Sequence, residues 1–150
     1  MFSLFGKQLI KGKKVDLKIV RESQPHPFND YAYTVQYAVY LHGRKEKIGE
    51  CDLRVGMNRQ LYYAGNIGYR IYREYRGHSY AYEACLLMLD QASEEYGMKE
   101  VIVTCSPENI ASEKTIRKLG GVLIAETDVP ADHWLYKRGE TVKKIFRITL

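Results

Sequence analysis

The sequence predicts a mixed α/β (α+β) domain built around one sheet. Three observations carry this. The first half of the 150-residue chain is written in runs of alternating polar and apolar residues, or in β-branched and aromatic runs. The second half switches to helical spacing. The resulting order is strands, helix, strand, helix, strands, which suits a single layered core.

Val15 to Arg21 (VDLKIVR) alternates as a half-buried strand does. Tyr31 to Leu41 (YAYTVQYAVYL) is rich in strand formers; the turn-like HGRKEK and then Ile48 to Val55 complete an antiparallel hairpin. Leu61 to Ile71 reads as a further strand, with Gly65 and Gly68 marking a bulge or a close backbone approach. Residues 80–96 place Ala81, Ala84, Cys85, Met88, Ala92 and Tyr96 at helical spacing. The run Ala84 to Leu89 uses good helix formers and no β-branched residue, and Gly97 follows as a stop. Val101 to Cys105 (VIVTC) is a short buried strand. A second helix spans about Ile110 to Leu119 and ends at Gly120-Gly121; Gly121 to Glu126 and Lys144 to Leu150 close the sheet.

Composition narrows the class. The chain is 45% hydrophobic and 27% charged, enough for a sizeable core in one domain over residues 1–150. A net charge of +5 suits an anionic ligand, without requiring one. Cys51, Cys85 and Cys105 form no C-x-x-C pair, so free thiols in a reducing compartment are expected, with no disulfide framework and no metal site. The opening MFSLFGKQLIKGKK lacks the apolar core of a secretion signal, and no apolar run reaches the roughly 20 residues of a membrane span. A cytoplasmic protein with no membrane partner is the expectation. Tyrosine supplies 13 of the aromatic residues. Tyr31, Tyr33 and Tyr37 share a strand face by parity, and packing explains them better than base stacking, because the basic Arg44, Lys45 and Lys47 sit in a turn instead. Nucleic acid is not the expected partner.

Where the long helix begins, REYRGHSYAYEA places a cation and a glycine before its first turn. Open N–H groups and the helix dipole make such a junction a natural anion site, and a Ser N-cap at Ser79 is its plain structural alternative. The wider segment IGYRIYREYRGHSYAYEA resembles the signature of the GCN5-related N-acetyltransferases, the GNAT superfamily. That signature runs Arg or Gln, two variable residues, Gly, one variable residue, then Gly or Ala. Here the positions are Arg76, Gly77, His78, Ser79, Tyr80 and Ala81, with Ser79 standing where the family has Gly. Downstream, Asn109-Ile-Ala-Ser112 followed by Arg-Lys-Leu-Gly120 is similar to the family's N-x-x-S…K-L-G-F, with Gly121 in place of the aromatic. The ordered pair covers about residues 64–126, and its flavour is closest to the ribosomal-protein alanine acetyltransferase subgroup.

The resemblance implies a GNAT-like mixed, mostly antiparallel sheet with splayed central strands and helices packed on it, and acetyl-coenzyme A as co-substrate. It implies direct acetyl transfer to an amine-bearing small molecule or peptide in a ternary complex, with no metal. The pyrophosphate would lie on Arg76, Gly77, His78, Ser79, Tyr80 and Ala81. The pantetheine arm would lie between the strand ending near Ile71 and strand 101–105, at a bulge that Gly68 suits. Ile71 N–H would polarise the thioester, and Asn109 and Ser112 would contact the arm; an N-cap is the plain alternative for Asn109. The family's usual acid, a tyrosine seven residues after the Asn, is Ile116 here. For the base, Glu50, Asp52, Glu74, His133 and Tyr136 are open candidates, none preferred, and Cys105 lies near the expected cofactor path. The family also places two helices after its first strand. Only ESQPHPFND stands there, and Pro25 and Pro27 disfavour helix. The acceptor wall is therefore open, or completed by other elements or by a second subunit in a homodimer. A non-catalytic acyl-CoA-binding regulatory module is the rival reading.

Overall fold

The computed structural model describes residues 9–150, so the reading of the first eight residues as no secretion signal lies outside them. The strands are β1 (Leu9–Lys11), β2 (Val15–Ser23), β3 (Tyr33–Leu41), β4 (Lys47–Val55), β5 (Ile67–Ile71), β6 (Glu100–Cys105), β7 (Val122–Asp128) and β8 (Val142–Thr149). The helices are α1 (Arg59–Ala64), α2 (Tyr80–Glu94), α3 (Ile110–Lys118) and α4 (Trp134–Lys137). Among the described residues, no helix is long and apolar enough to cross a membrane.

The expected single sheet is split in two. Five strands run in the order β1-β2-β3-β4-β5 and three in the order β6-β8-β7, every neighbouring pair antiparallel. No ladder joins β5 to β6. They meet at Asn66, whose N–H donates to the Ile102 carbonyl (2.7 Å) and whose Oδ1 accepts from the Ile102 N–H (2.8 Å). The Asn66 Nδ2 donates to the carbonyls of Arg54 (2.8 Å) and Gly56 (2.7 Å). This almost fully buried amide thus spends three hydrogen bonds at the point where the sheets part.

Alternation decides what each face of the larger sheet does. Leu17, Ile19, Val35, Tyr37, Val39, Cys51 and Leu53 point inward, against Ala84, Cys85, Met88 and Ala92 of α2, as one core. Each such aliphatic side chain contributes about 1.5–3 kcal/mol when fully buried. The other face carries Lys18, Gln36, Glu50, Asp52 and Arg70. It has no apolar stripe for a helix to cover. Between β2 and β3 there is only a 3₁₀ turn at Pro27–Asn29, so the two helices are absent as expected, and the polar face stays open.

Three expectations need correction. The strand expected over Leu61 to Ile71 begins as helix α1, because the Asn58 side chain caps it, accepting from the Leu61 N–H (2.9 Å), and Gly65 ends it at φ +85°. No bulge falls at Gly68: β4 and β5 pair in unbroken register from Leu53↔Ile67 to Gly49↔Ile71. The glycine is there for space, since a Cβ would meet the Asp52 carboxylate and the Arg54 guanidinium at 2.6 Å each. Tyr31 lies outside β3, at φ +57° and 62% exposed, whereas Tyr33 and Tyr37 pack inward as expected.

Candidate functional site

The chain leaves β5 at Ile71, makes a 3₁₀ turn at Arg73–Tyr75, and enters α2 through Arg76 to Ser79. Arg76 turns back, and its Nε donates to the Ile71 carbonyl (3.0 Å). That bond fixes the guanidinium at the strand end, and its terminal amino groups have no partner among the described residues. Gly77 has φ +88°, and a Cβ there would touch nothing within 4 Å, so the glycine serves backbone conformation. Ser79 also adopts the left-handed conformation (φ 63°, ψ 23°) and makes no capping hydrogen bond. The plain Ser N-cap therefore does not form, and the first-turn N–H groups face outward uncapped. A non-glycine residue held in this region costs roughly 1–2 kcal/mol. Ser79→Gly is expected to raise the melting temperature by about 2 °C, net of the glycine's greater unfolded-state entropy. A thermal unfolding series checks this, and a lower melting temperature would show that the hydroxyl does more than the geometry indicates.

A cleft of about 400 Å³ opens beside this loop, lined by Tyr69, Ile71, Arg76, Ala81, Asn109 and Ser112 among others. A second lobe of about 470 Å³ shares Ile71, Arg76 and Ala81 with it and adds Gly77, Ser79, Tyr80, Lys114 and Lys118. No carboxylate lines either lobe, while Arg70, Arg76, Lys114 and Lys118 do. The cleft is therefore cationic at the helix N-terminus. Asn109 caps α3, its side chain accepting from the Ser112 N–H (3.1 Å), and it lines the cleft as well. Of the loop residues marked in the sequence, His78 alone lies outside both lobes; its ring packs on Tyr80 (5.3 Å between centroids). The Tyr72 N–H donates to the Ile48 carbonyl (2.8 Å), so by strand alternation the N–H groups of Ile71 and Tyr69 turn away from β4, toward the gap.

On the other side of β5, a cavity of about 430 Å³ is lined by Val20, Gln36, Glu50, Asp52, Tyr69 and Arg70 among others. Tyr69 and Arg70 line it and the cationic cleft alike. The Tyr69 hydroxyl lies 3.2 Å from Ser112 Oγ, and burial holds its proton more tightly than in an ordinary tyrosine, against an opposing hydrogen bond to Ser112. Sequence reading missed Tyr69 and Arg70. Their signal was parity in GYRI, which sends Tyr69 inward and Arg70 outward.

The base candidates separate. Glu50 accepts from the Tyr72 hydroxyl (2.6 Å) and pairs with Lys47 (3.3 Å). The Tyr72 bond, with help from Lys47 and against slight burial, holds its carboxyl below the usual range. Asp52 is paired to Arg54 (2.7 Å). His133 is fully buried; its Nδ1 accepts from the Leu135 N–H (3.1 Å) and its Nε2 lies 3.1 Å from the Gln60 carbonyl. One ring nitrogen caps α4 and the other docks it on α1, so His133, a candidate base in the sequence, lies in the core and lines none of these cavities. Tyr136, on α4, and Glu74 line none of these cavities. Ile116, at the position of the family's tyrosine acid, is a fully buried core residue. Burial pushes the Cys85 thiol up to about 12 and raises Cys51 and Cys105 too, and none of the three lines the cleft.

The family model described as an acetyltransferase (GNAT) domain matches residues 17–122. An acetyltransferase from Agrobacterium tumefaciens str. C58 superposes with a TM-score of 0.68 at 16% identity, covering 100% of this chain and 97% of its own. RimL, a ribosomal alpha-N-protein acetyltransferase solved with coenzyme A, gives 0.68 at 10% identity, covering 95% and 98%. A GNAT-family acetyltransferase from Bacillus anthracis gives 0.65 at 15%, covering 95% and 98%. At these identities the likeness is one of fold. No curated protein matches the sequence.

Proposed function

We propose, because the chain belongs to the acetyltransferase (GNAT) family, that it carries acetyl from acetyl-coenzyme A across β5 to an amine by direct attack in a ternary complex. The observation that carries this reading is the pair of cavities meeting at Tyr69 and Arg70: a cationic cleft on one side and an open polar cavity on the other. A donor set of this kind fits a diphosphate. Arg76, Lys114, Lys118 and the open N–H groups at Gly77 to Ala81 take the phosphates, and Asn109 and Ser112 border the arm. The thioester supplies an activated acetyl group; this chain positions it, donates to its oxygen and receives the amine. We assign Ile71 N–H, turned toward the gap, as the donor to the oxygen that gains charge.

The amine must be neutral to attack. The Tyr72 hydrogen bond holds the Glu50 carboxyl below the usual range, which makes it a weaker base, and His133 is locked in the core. The amine's own pKa then governs. At neutral pH about a tenth of an α-amine (pKa near 8) is free base, against about one part in 2,500 of a lysine amine near 10.4. That gap of roughly 250-fold favours an α-amine or another weakly basic acceptor. Activity should accordingly climb with pH until the acceptor's own pKa is passed. Glu50, charged and exposed, draws the ammonium in rather than deprotonating it.

The departing thiolate, with a thiol pKa near 8.5, needs only a hydrogen-bond donor. With Ile116 in the core, Tyr69 fills that role, its proton retained by burial and its hydroxyl in the cleft. Tyr69→Phe is expected to lower kcat roughly tenfold to hundredfold while coenzyme A affinity stays within about twofold. The assay is release of free thiol from acetyl-coenzyme A with a panel of peptide and small-molecule amines. Tight cofactor binding with no turnover on any acceptor would instead support a regulatory module.

A further inference from the structure

The polar face of the larger sheet holds a second, unassigned pocket. It has a volume of about 340 Å³ and is lined by Arg21, Ser23, His26, Phe28, Thr34 and Gln36, with Asn29 and no carboxylate. Gln36 also lines the cavity against β5, so the two border each other along the sheet. Two donors facing the pocket, Arg21 and His26, are uncommitted. Among the described residues Arg21 has no ion-pair partner, whereas the acidic residues of the cavity against β5 are matched, Glu50 by Lys47 and Asp52 by Arg54. The His26 Nδ1 accepts from the Phe28 N–H (3.3 Å), which puts the neutral ring's proton on Nε2 as a free donor. Thr34 and Asn29 are spent: the Thr34 hydroxyl donates to the Ala32 carbonyl (2.9 Å), and the Asn29 amide donates to the Gln24 carbonyl (2.9 Å).

The pocket's wall is built. His26 and Asn29 cap each other reciprocally across the 3₁₀ turn. Asp30 and Tyr31 are held at φ +57° each, a strained conformation that persists only where its surroundings fix it. They are fixed by Asn58 Nδ2 donating to the Asp30 carbonyl (2.8 Å) and by Trp134 Nε1 donating to Asp30 Oδ1 (2.8 Å). The loop so anchored leaves the Phe28 ring 94% exposed at the pocket rim.

We propose that this pocket receives an anionic group of the acceptor, so that the enzyme selects peptide N-termini carrying an acidic side chain a few residues from the amine. The inference rests on the acetyl-transfer reading of the same face. Register sets the distance: Gly68, Asp52, Gln36 and Arg21 are successive cross-strand partners in one row. Three strand spacings of about 4.8 Å put Arg21 roughly 14 Å from β5. An extended peptide covers about 3.3 Å per residue, and the arginine and glutamate side chains shorten the span, so the acid belongs at the third or fourth residue.

The test measures peptide binding to protein saturated with coenzyme A, by calorimetry at low salt. The probes are Ser-Gly-Glu-Glu-Gly-Gly and Ser-Gly-Lys-Lys-Gly-Gly. The acidic peptide is expected to bind at least tenfold tighter, the preference to shrink at high salt, and Arg21→Glu to reverse it with coenzyme A affinity unchanged. Arg21 is exposed, so the variant keeps its fold. Equal affinities, no binding of either peptide, or a preference that survives Arg21→Glu would each overturn the assignment. Running the same peptides with acetyl-coenzyme A separates the two readings: a binding preference without acetylation sinks the proposed chemistry and leaves the pocket standing.

Discussion

Asn66→Ala is expected to destabilise the protein by about 3 kcal/mol or more. The side chain bonds one N–H and two carbonyls in a site it shields almost fully from water. Each buried group left without a partner costs about 1–3 kcal/mol. The Ile102 N–H has no second choice, while the carbonyls of Arg54 and Gly56 can recruit water through the cavity that alanine leaves, which sets the estimate near the lower end. Asn66→Asp is expected to be no better, because a carboxylate still accepts from Ile102 but faces two carbonyls it cannot donate to. Denaturant midpoints at constant slope measure both. A loss under about 1 kcal/mol would mean that the backbone bond from Asn66 to Ile102 holds the sheets together unaided. The functional consequence follows from position. β5 and β6 are tied only at this end, so the gap beyond it depends on the tie for its width, and cofactor affinity should fall along with stability.

What the sequence makes legible is what repeats. Inward and outward faces of β2 to β4 follow from strict alternation, and the apolar stripe of α2 from its spacing. The Arg76–Ala81 loop is legible because glycine and a cation before a helix have a direct physical use. Other features are set by single local contacts. The Asn58 cap outbids the strand propensity of Leu61 to Tyr63, and nothing in the periodicity of LYYAG announces it. Gly68 looks like a bulge in one dimension and is a clearance for Asp52 and Arg54 once β4 lies beside it. His133 has the right chemistry for a base, and only its burial between α4 and α1 shows it to be a helix cap. Asn66, which defines the groove, reads in the sequence as an ordinary turn residue before a strand. Tyr69 needs the third dimension twice, once to face inward and once to meet Ser112 from a helix 43 residues away.

Arg76→Glu is expected to weaken acetyl-coenzyme A binding by at least about 100-fold, close to 3 kcal/mol. The change replaces a cation that lines both lobes of the cleft with an anion, where no carboxylate now stands. Two unit charges 4 Å apart near a protein surface interact by about 4 kcal/mol before salt screening, so losing an attraction and gaining a repulsion exceeds the threshold comfortably. The substitution also cuts the bond from Arg76 Nε to the Ile71 carbonyl, and two companions separate the causes. Arg76→Lys keeps the charge without the fork, and a loss of about tenfold there would isolate the geometric part. Arg73→Glu alters net charge by the same amount at an exposed neighbour that lines neither lobe, and should change affinity little at physiological salt, where the screening length is about 8 Å. A folded Arg76→Glu protein that binds the cofactor as tightly as the parent would move the diphosphate off this loop. The gap between β5 and β6 would then lose its claim to the thioester arm, and the acceptor cavity its source of acetyl.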